Sequence, residues 1–141
     1  MFRGPATISF FADDVPAAAA WYADLFGVEP YFARPVDGPP AYVEFRIGDR
    51  QTELGIVDTR YAPHPAGMCG AIVFWQVDEL EATVADLQRR GATVHEARTE
   101  RGEGFVTASV VDPFGNILGV MHNPHYLSVL GADERPNEMP A

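Results

Sequence analysis

Apolar and polar residues alternate along several short stretches of this chain, and two longer stretches between them switch to helical spacing. Residues 6–12, Ala6-Thr7-Ile8-Ser9-Phe10-Phe11-Ala12, read as a strand. Asp13 or Asp14 then offers a helix cap, Pro16 suits a first turn, Ala17 to Ala20 are strong helix formers, and Gly27 stops the element. Val15, Ala18, Ala19, Tyr22, Leu25 and Phe26 fall on one side of that helix and predict the surface that packs on a sheet. Glu29 to Phe32 reads as a short strand, and Pro35 to Pro40 as a loop.

A hairpin follows. Tyr42, Glu44 and Arg46 alternate with Val43, Phe45 and Ile47, and beyond Gly48-Asp49, Gln51, Glu53 and Gly55 alternate with Thr52, Leu54 and Ile56. Taking Gly48-Asp49 as a two-residue turn pairs Ile47 with Arg50, which sets Glu44 opposite Glu53 and Arg46 opposite Gln51 on one polar side. After a Pro/Gly-containing stretch the order begins again. Gly70 to Val77 reads as an apolar strand, Asp78 caps a helix reaching about Arg90 with Leu80, Val84 and Leu87 on one side, and Gly91 ends it. Ala92 to Glu96 is a short strand and Gly102 to Gly104 a turn. Phe105 to Val111 and Asn116 to His122 then form a hairpin about Asp112-Pro113-Phe114-Gly115-Asn116.

Each half thus reads strand, helix, three strands, and Ala23-Asp24-Leu25 is echoed by Ala85-Asp86-Leu87. A unit of this length present twice predicts a duplicated α+β module. The expected organisation is a single domain over residues 1–123, built of βαβββ modules at about 5–58 and 70–123, with a linker over 58–69. The tail, residues 124–141, is expected to be loosely held from about Ser128.

Composition narrows the field. The chain has 141 residues, enough for one ordinary domain with a real core. Ten Lys and Arg against twenty Asp and Glu leave a net charge of −10, which repels phosphate backbones and anionic membranes. A nucleic-acid partner is therefore not expected, nor a membrane one, whereas cationic ligands are favoured. No apolar run is long enough to span a bilayer and the start lacks a signal peptide's pattern, so the expected setting is cytoplasmic. Cys69 is the single cysteine, which rules out an internal disulfide and a thiolate cluster within one chain; among Met68, Gly70 and Ala71 it reads as a packed small residue.

The duplicated βαβββ pattern, the strand-to-helix openings at Asp14 and Val77-Asp78-Glu79-Leu80, and the closing Asp112-Pro113-Phe114-Gly115-Asn116 together resemble the vicinal oxygen chelate superfamily. This is the group of glyoxalase I, the bleomycin-resistance proteins and the extradiol dioxygenases. The resemblance spans residues 5–123 and implies two modules whose sheets form a half-open curved β-barrel around a cavity, with helices on the convex face. It also implies a homodimer whose cavities are lined by both chains.

Metal-dependent members of that superfamily place His on the first strand of a module and a carboxylate on a later strand. Alignment on the two helix openings puts Thr7 and Ile72 at the first-strand positions, and the closing turn puts Gly119 at the final carboxylate position. Only Glu53 matches a ligand type, so the resemblance implies no metal or other cofactor here. His64 and His95 read as surface residues, and His122 and His125 as rim or dimer contacts.

By strand alternation the implied cavity carries Thr7, Ser9, Phe11, Tyr42, Glu44, Arg46, Gln51 and Glu53 from the first module. The second module adds Ile72, Phe74, Gln76, Phe105, Thr107, Ser109, Val111, Ile117, Gly119 and Met121, with His122 at the rim. Such a lining, aromatic with a few polar groups, suits a small-molecule ligand. Glu44 and Glu53 set face to face would raise one carboxyl pKa unless Arg46 or a ligand cation intervened, which makes either a general base or a cation site. The expectation is a metal-independent protein of the glyoxalase and bleomycin-resistance type that sequesters a small, partly aromatic, cationic molecule, as in antibiotic resistance. The alternative is a lyase, isomerase or dioxygenase-like enzyme that uses Glu53 or Glu44 as its base, or Glu53 as a ligand.

Overall fold

Side-chain exposure along the first strand alternates as a period-two backbone requires, with Thr7 and Ser9 exposed and Phe10 and Ala12 buried. The computed structural model describes residue 1, residues 5–62 and residues 72–133. Within them the order is β1 (Thr7–Ala12), α1 (Val15–Phe26), β2 (Phe32–Arg34), β3 (Tyr42–Ile47), β4 (Thr52–Asp58), a single 3-10 turn at Thr59–Tyr61, β5 (Val73–Gln76), α2 (Leu80–Arg89), β6 (Thr93–Gly102), β7 (Phe105–Val111), β8 (Ile117–His122) and α3 (Pro124–Asp133). His64, Cys69, most of the expected linker and the end of the tail lie outside the described residues.

The strands form two four-stranded mixed sheets, in the orders β1-β4-β3-β2 and β5-β8-β7-β6. In each, the outer first strand runs parallel to the last strand of its module and the other neighbours are antiparallel. The chain divides into two compact units, Met1–Met68 with Phe114–Asn116, and Cys69–Pro113 with Ile117–Ala141.

In the first unit α1 packs on β1, β3 and β4. Asp14 caps it, its carboxylate accepting from the Ala17 amide at 3.0 Å, and Gly27 closes it in the left-handed conformation. Tyr22, Val15 and Ala18 from the helix meet Phe45, Val43, Leu54 and Ile56 from the sheet, and all are buried. The Phe26 ring stacks on Tyr22 at 5.4 Å and stands edge-on to Phe45 at 6.4 Å. The turn residues Phe114–Asn116 belong to this unit too. The Asn116 carboxamide accepts from the Phe11 amide at 3.0 Å and donates to the Phe11 carbonyl at 2.9 Å, as a paired strand would do for edge strand β1.

In the second unit α2 packs on β6, β7 and β8, burying Leu80 and Leu87 against a sheet that contributes Ala108, Val110, Leu118 and Val120. Four features differ from expectation. The helix cap is Glu79, without a side-chain cap bond, and not Asp78; the strand before it spans Val73–Gln76 among the described residues. The expected short strand Ala92–Glu96 is a ten-residue strand, β6, because repeated bulges against β7 let a polar sequence keep pairing without strict alternation. The first-module strand read at Glu29 to Phe32 lies at Phe32–Arg34. Finally, the segment from Pro124 to Asp133 is a helix: Asn123 accepts from the Tyr126 amide at 2.9 Å, while its own amide donates to the Gln76 side chain at 2.7 Å.

No helix among the described residues is long and apolar enough to cross a membrane. Phe45 is fully buried at the centre of the α1 contact. Phe45→Ala should therefore lower stability by about 3–5 kcal/mol, seen as a lower urea midpoint at unchanged m-value. A loss under about 1 kcal/mol would show that this contact does not hold the unit together.

Candidate functional site

The β3–β4 hairpin decides what the polar side of the first sheet presents. Its turn is four residues long, with Ile47 paired to Thr52 and Gln51 at φ 52°, instead of the expected two-residue turn with Ile47 opposite Arg50. The register therefore slips by two residues. Side chains keep their faces under such a slip, but every cross-strand partner changes. Arg46 stands opposite Glu53, and Glu44 opposite Gly55, so the expected Glu44–Glu53 and Arg46–Gln51 pairings do not occur. Gln51 sits in the turn, where its side chain donates to the Gly48 carbonyl at 3.2 Å.

Three rows cross this face, away from α1. The first is Thr7, Glu53 and Arg46; the second is Ser9, Gly55, Glu44 and Phe32; the third is Phe11, Val57, Tyr42 and Arg34. Glu44 is the hub. Its two carboxylate oxygens accept from the hydroxyls of Tyr31 and Tyr42. Tyr42 reaches Glu44 by leaning over Gly55, where a Cβ would stand 2.7 Å from the phenol oxygen. Only glycine leaves room for that ring.

Two guanidinium groups rest on the aromatic rings. Arg46 lies 4.1 Å from the Tyr31 ring centroid and Arg34 lies 4.2 Å from that of Phe32, which itself stands edge-on to Tyr42 at 6.1 Å. Glu53 accepts from the Thr7 hydroxyl at 3.0 Å and contacts Arg46 at 4.0 Å. Partial desolvation, reinforced by the Glu53 carboxylate and opposed by Arg46, holds the Glu44 carboxyl above its ordinary range. Desolvation and Glu53 likewise raise the Tyr42 phenol.

The corresponding face of the second sheet carries Phe74, Gly119, Ser109 and Glu96 in one row, and Gln76, Met121, Thr107 and Thr99 in the next. Here too a ring covers a glycine: a Cβ on Gly119 would meet the Phe74 ring at 2.6 Å. Ser109 and Thr107 are buried, and their hydroxyls meet His95 Nδ1 at 2.9 Å and Arg101 Nε at 3.0 Å. Phe105 begins β7 on this side. His122 pairs with Val106, one residue out of phase with Met121, and so points to the opposite face. His125 is exposed on α3.

These positions can be tested against the divalent ion that the superfamily resemblance brings with it. Thr7 and Glu53 are adjacent, but the carboxylate already accepts from Thr7 at 3.0 Å and faces the Arg46 guanidinium across 4.0 Å. In the second unit Gly119 brings no donor and lies under a phenyl ring, while Ile72 is aliphatic. One hydroxyl, one shared carboxylate and hydrocarbon do not suit a divalent cation. Among the described residues, no three His, Cys, Asp or Glu side chains gather as a ligand set.

Sequence reasoning missed Tyr31, Phe32 and Arg34 as members of the site. Period two sets Phe32 and Arg34 on one face, a signal lost by ending the strand at Phe32, whereas Tyr31 precedes β2 and no alternation places it on this face. It also passed over Arg101, because the β6 bulges that aim it are invisible to a period-two reading, whereas His95, read as a surface residue, is exposed with its ring nitrogen engaged by Ser109. A groove of about 420 Å³ lies elsewhere, at the end of α1 between Ala20 and Glu29, and shares no residue with the Glu44 cluster.

Comparison with known proteins bears on this geometry. A family model described as the Glyoxalase/Bleomycin resistance protein/Dioxygenase superfamily matches residues 4–120. Among solved structures, a superfamily member from Sphaerobacter thermophilus is similar at TM-score 0.68 and 16% identity, covering 86% of this chain and 98% of its own. A glyoxalase-related enzyme from Fulvimarina pelagi gives TM-score 0.67 at 17% identity, covering 87% and 90%. A lactoylglutathione lyase from Agrobacterium tumefaciens gives TM-score 0.63 at 22% identity, covering 86% and 94%. Comparison with curated proteins gave no match.

The raised Glu44 carboxyl has a consequence for stability. Its folded pKa exceeds the unfolded value near 4.3, so the folded state holds the extra proton and stability falls as pH rises from there through the folded pKa. Glu44→Gln removes this component. The stability of wild type relative to Glu44→Gln should decline from about pH 4 towards neutrality, measured by urea unfolding at several pH values. A difference that is flat or rises with pH would contradict the assigned environment of Glu44.

Proposed function

The chain belongs to the Glyoxalase/Bleomycin resistance protein/Dioxygenase superfamily, and from that premise we propose that it binds and sequesters a small, partly aromatic cation on the polar face of its first sheet, without a metal. The observation that carries this reading is the Glu44 carboxylate held between two tyrosine hydroxyls, beside ring faces that already seat guanidinium groups. A ring face attracts a cation through its quadrupole, and a nearby carboxylate adds direct Coulomb attraction. The net charge of −10 favours approach of the same sign of ligand. Tyr31, Phe32 and Tyr42 supply the surface on which an aromatic part of the ligand would stack. Metal independence is part of the proposal, supported by the donor chemistry at Thr7, Glu53, Ile72 and Gly119.

A second reading, an acid–base enzyme of the lyase or isomerase kind, is favoured by the raised pKa of Glu44, since carboxyls tuned upward serve as proton carriers near neutrality. It predicts turnover of a substrate that Glu44→Gln abolishes while binding persists.

The binding reading is tested with benzyltrimethylammonium against neutral N-benzylacetamide by calorimetry and thermal shift. The cation should bind and raise the melting temperature, and the neutral compound should bind more weakly. Tyr31→Leu and Glu44→Gln should each weaken binding of the cation by about twofold to tenfold. Equal affinity for the two compounds, or no binding of the cation, would remove the proposal.

A further inference from the structure

Resting on the cation-binding reading, we propose that Arg46 is a built-in competitor: its guanidinium occupies the cation seat over Tyr31, and a ligand must displace it to bind.

Tyr31 is fixed from two sides. Its amide donates to the Glu44 carbonyl at 3.0 Å and its hydroxyl donates to the Glu44 carboxylate, so the ring face is held in place whether or not a cation lies on it. Arg46 reaches that face from the end of β3, with its guanidinium carbon 4.1 Å from the ring centroid. The other contact on its guanidinium is loose. The nearest Glu53 oxygen stands 4.0 Å away, while the second Glu53 oxygen accepts from Thr7 at 3.0 Å. An ion pair that long, with the arginine side chain 53% exposed, adds little to holding the guanidinium on the ring. The neighbouring Arg34 differs: although it lies over Phe32, it also donates to the Ala33 carbonyl at 2.8 Å. Arg46 is therefore the cation with a ready exit, and Glu53 is the carboxylate that receives it when a ligand takes its place.

The arrangement has consequences for selectivity. A planar guanidinium is weakly hydrated and stacks well, so a competing ligand needs both a poorly hydrated cation and apolar area to win the seat. Small, strongly hydrated ammonium groups lose that contest. Quaternary ammonium, amidinium or alkylguanidinium groups carried on an aromatic body fit it best.

Arg46→Met keeps the aliphatic stem and removes the charge, at a position exposed enough to leave folding intact. Calorimetry on the full chain then compares wild type with this variant, using benzyltrimethylammonium and ethylguanidinium as probes. Arg46→Met should bind benzyltrimethylammonium about twofold to fivefold more tightly than wild type. It should also bind ethylguanidinium saturably, which wild type should not. The double variant Tyr31→Leu, Arg46→Met should lose both gains, tying them to the ring. Wild type binding benzyltrimethylammonium as tightly as Arg46→Met, or more tightly, overturns the competitor role and leaves the cation reading standing. Failure of both proteins to bind that probe overturns the cation reading and the competitor role together.

Discussion

Burial of one side of the first sheet against α1 is the constraint from which the candidate site follows. Tyr22 of α1 and Phe45, Leu54 and Ile56 of the sheet each gain on the order of 1.5–3 kcal/mol by leaving water, and the sheet residues sit at alternate strand positions that all face the helix. Turning any strand over would expose its whole apolar set, so the sheet has one permissible way to face. Thr7, Ser9, Tyr42, Glu44, Arg46 and Glu53 are left on the other side. Their proximity is a by-product of packing to which none of them contributes much.

Facing is not the same as pairing. A slip of two residues leaves the apolar side buried, and the hairpin's four-residue turn selects one of two registers that packing alone tolerates. The electrostatic outcome differs sharply between them. In the shorter register two carboxylates would oppose each other; in the observed one Glu53 meets Arg46, and Glu44 gains an empty neighbour at Gly55 that admits the Tyr42 ring. The glycine and the tyrosine act as a pair, since neither position makes sense without the other. The second unit repeats the device with Gly119 and Phe74. In both units ring atoms occupy the space above the strand that closes the module, and in the second they do so where the superfamily resemblance places a carboxylate.

Superfamily membership accounts for the fold and for little of the chemistry. The three solved structures share 16–22% identity with this chain, and that likeness shows the fold alone. The candidate chemistry of this chain is local: a carboxylate shared by two phenols, and arginines stacked on the rings beside it. In a strongly acidic protein those arginines are notable for lying on aromatic faces, Arg34 over Phe32 and Arg46 over Tyr31.

Much of this was legible in the amino-acid order, because it depends on short-range rules. The α1 start at Asp14 and stop at Gly27, the alternation of β3 and β4, the hairpin around Asp112 to Asn116 and the repetition of the whole module follow from caps, turn formers and periods of two and 3.6. Those rules also identified which side chains share the polar face. They could not place Tyr31 beside Glu44, convert Asn123 and Pro124 into the start of a helix, or aim His95 and Arg101 through the bulges of β6. Each of these depends on a register or on a partner distant in the chain. By itself the sequence determined the faces, since side-chain period is a property of the local backbone. Only the tertiary structure decided the partners across them, since loop length and ring packing choose among registers that hydrophobic burial cannot tell apart.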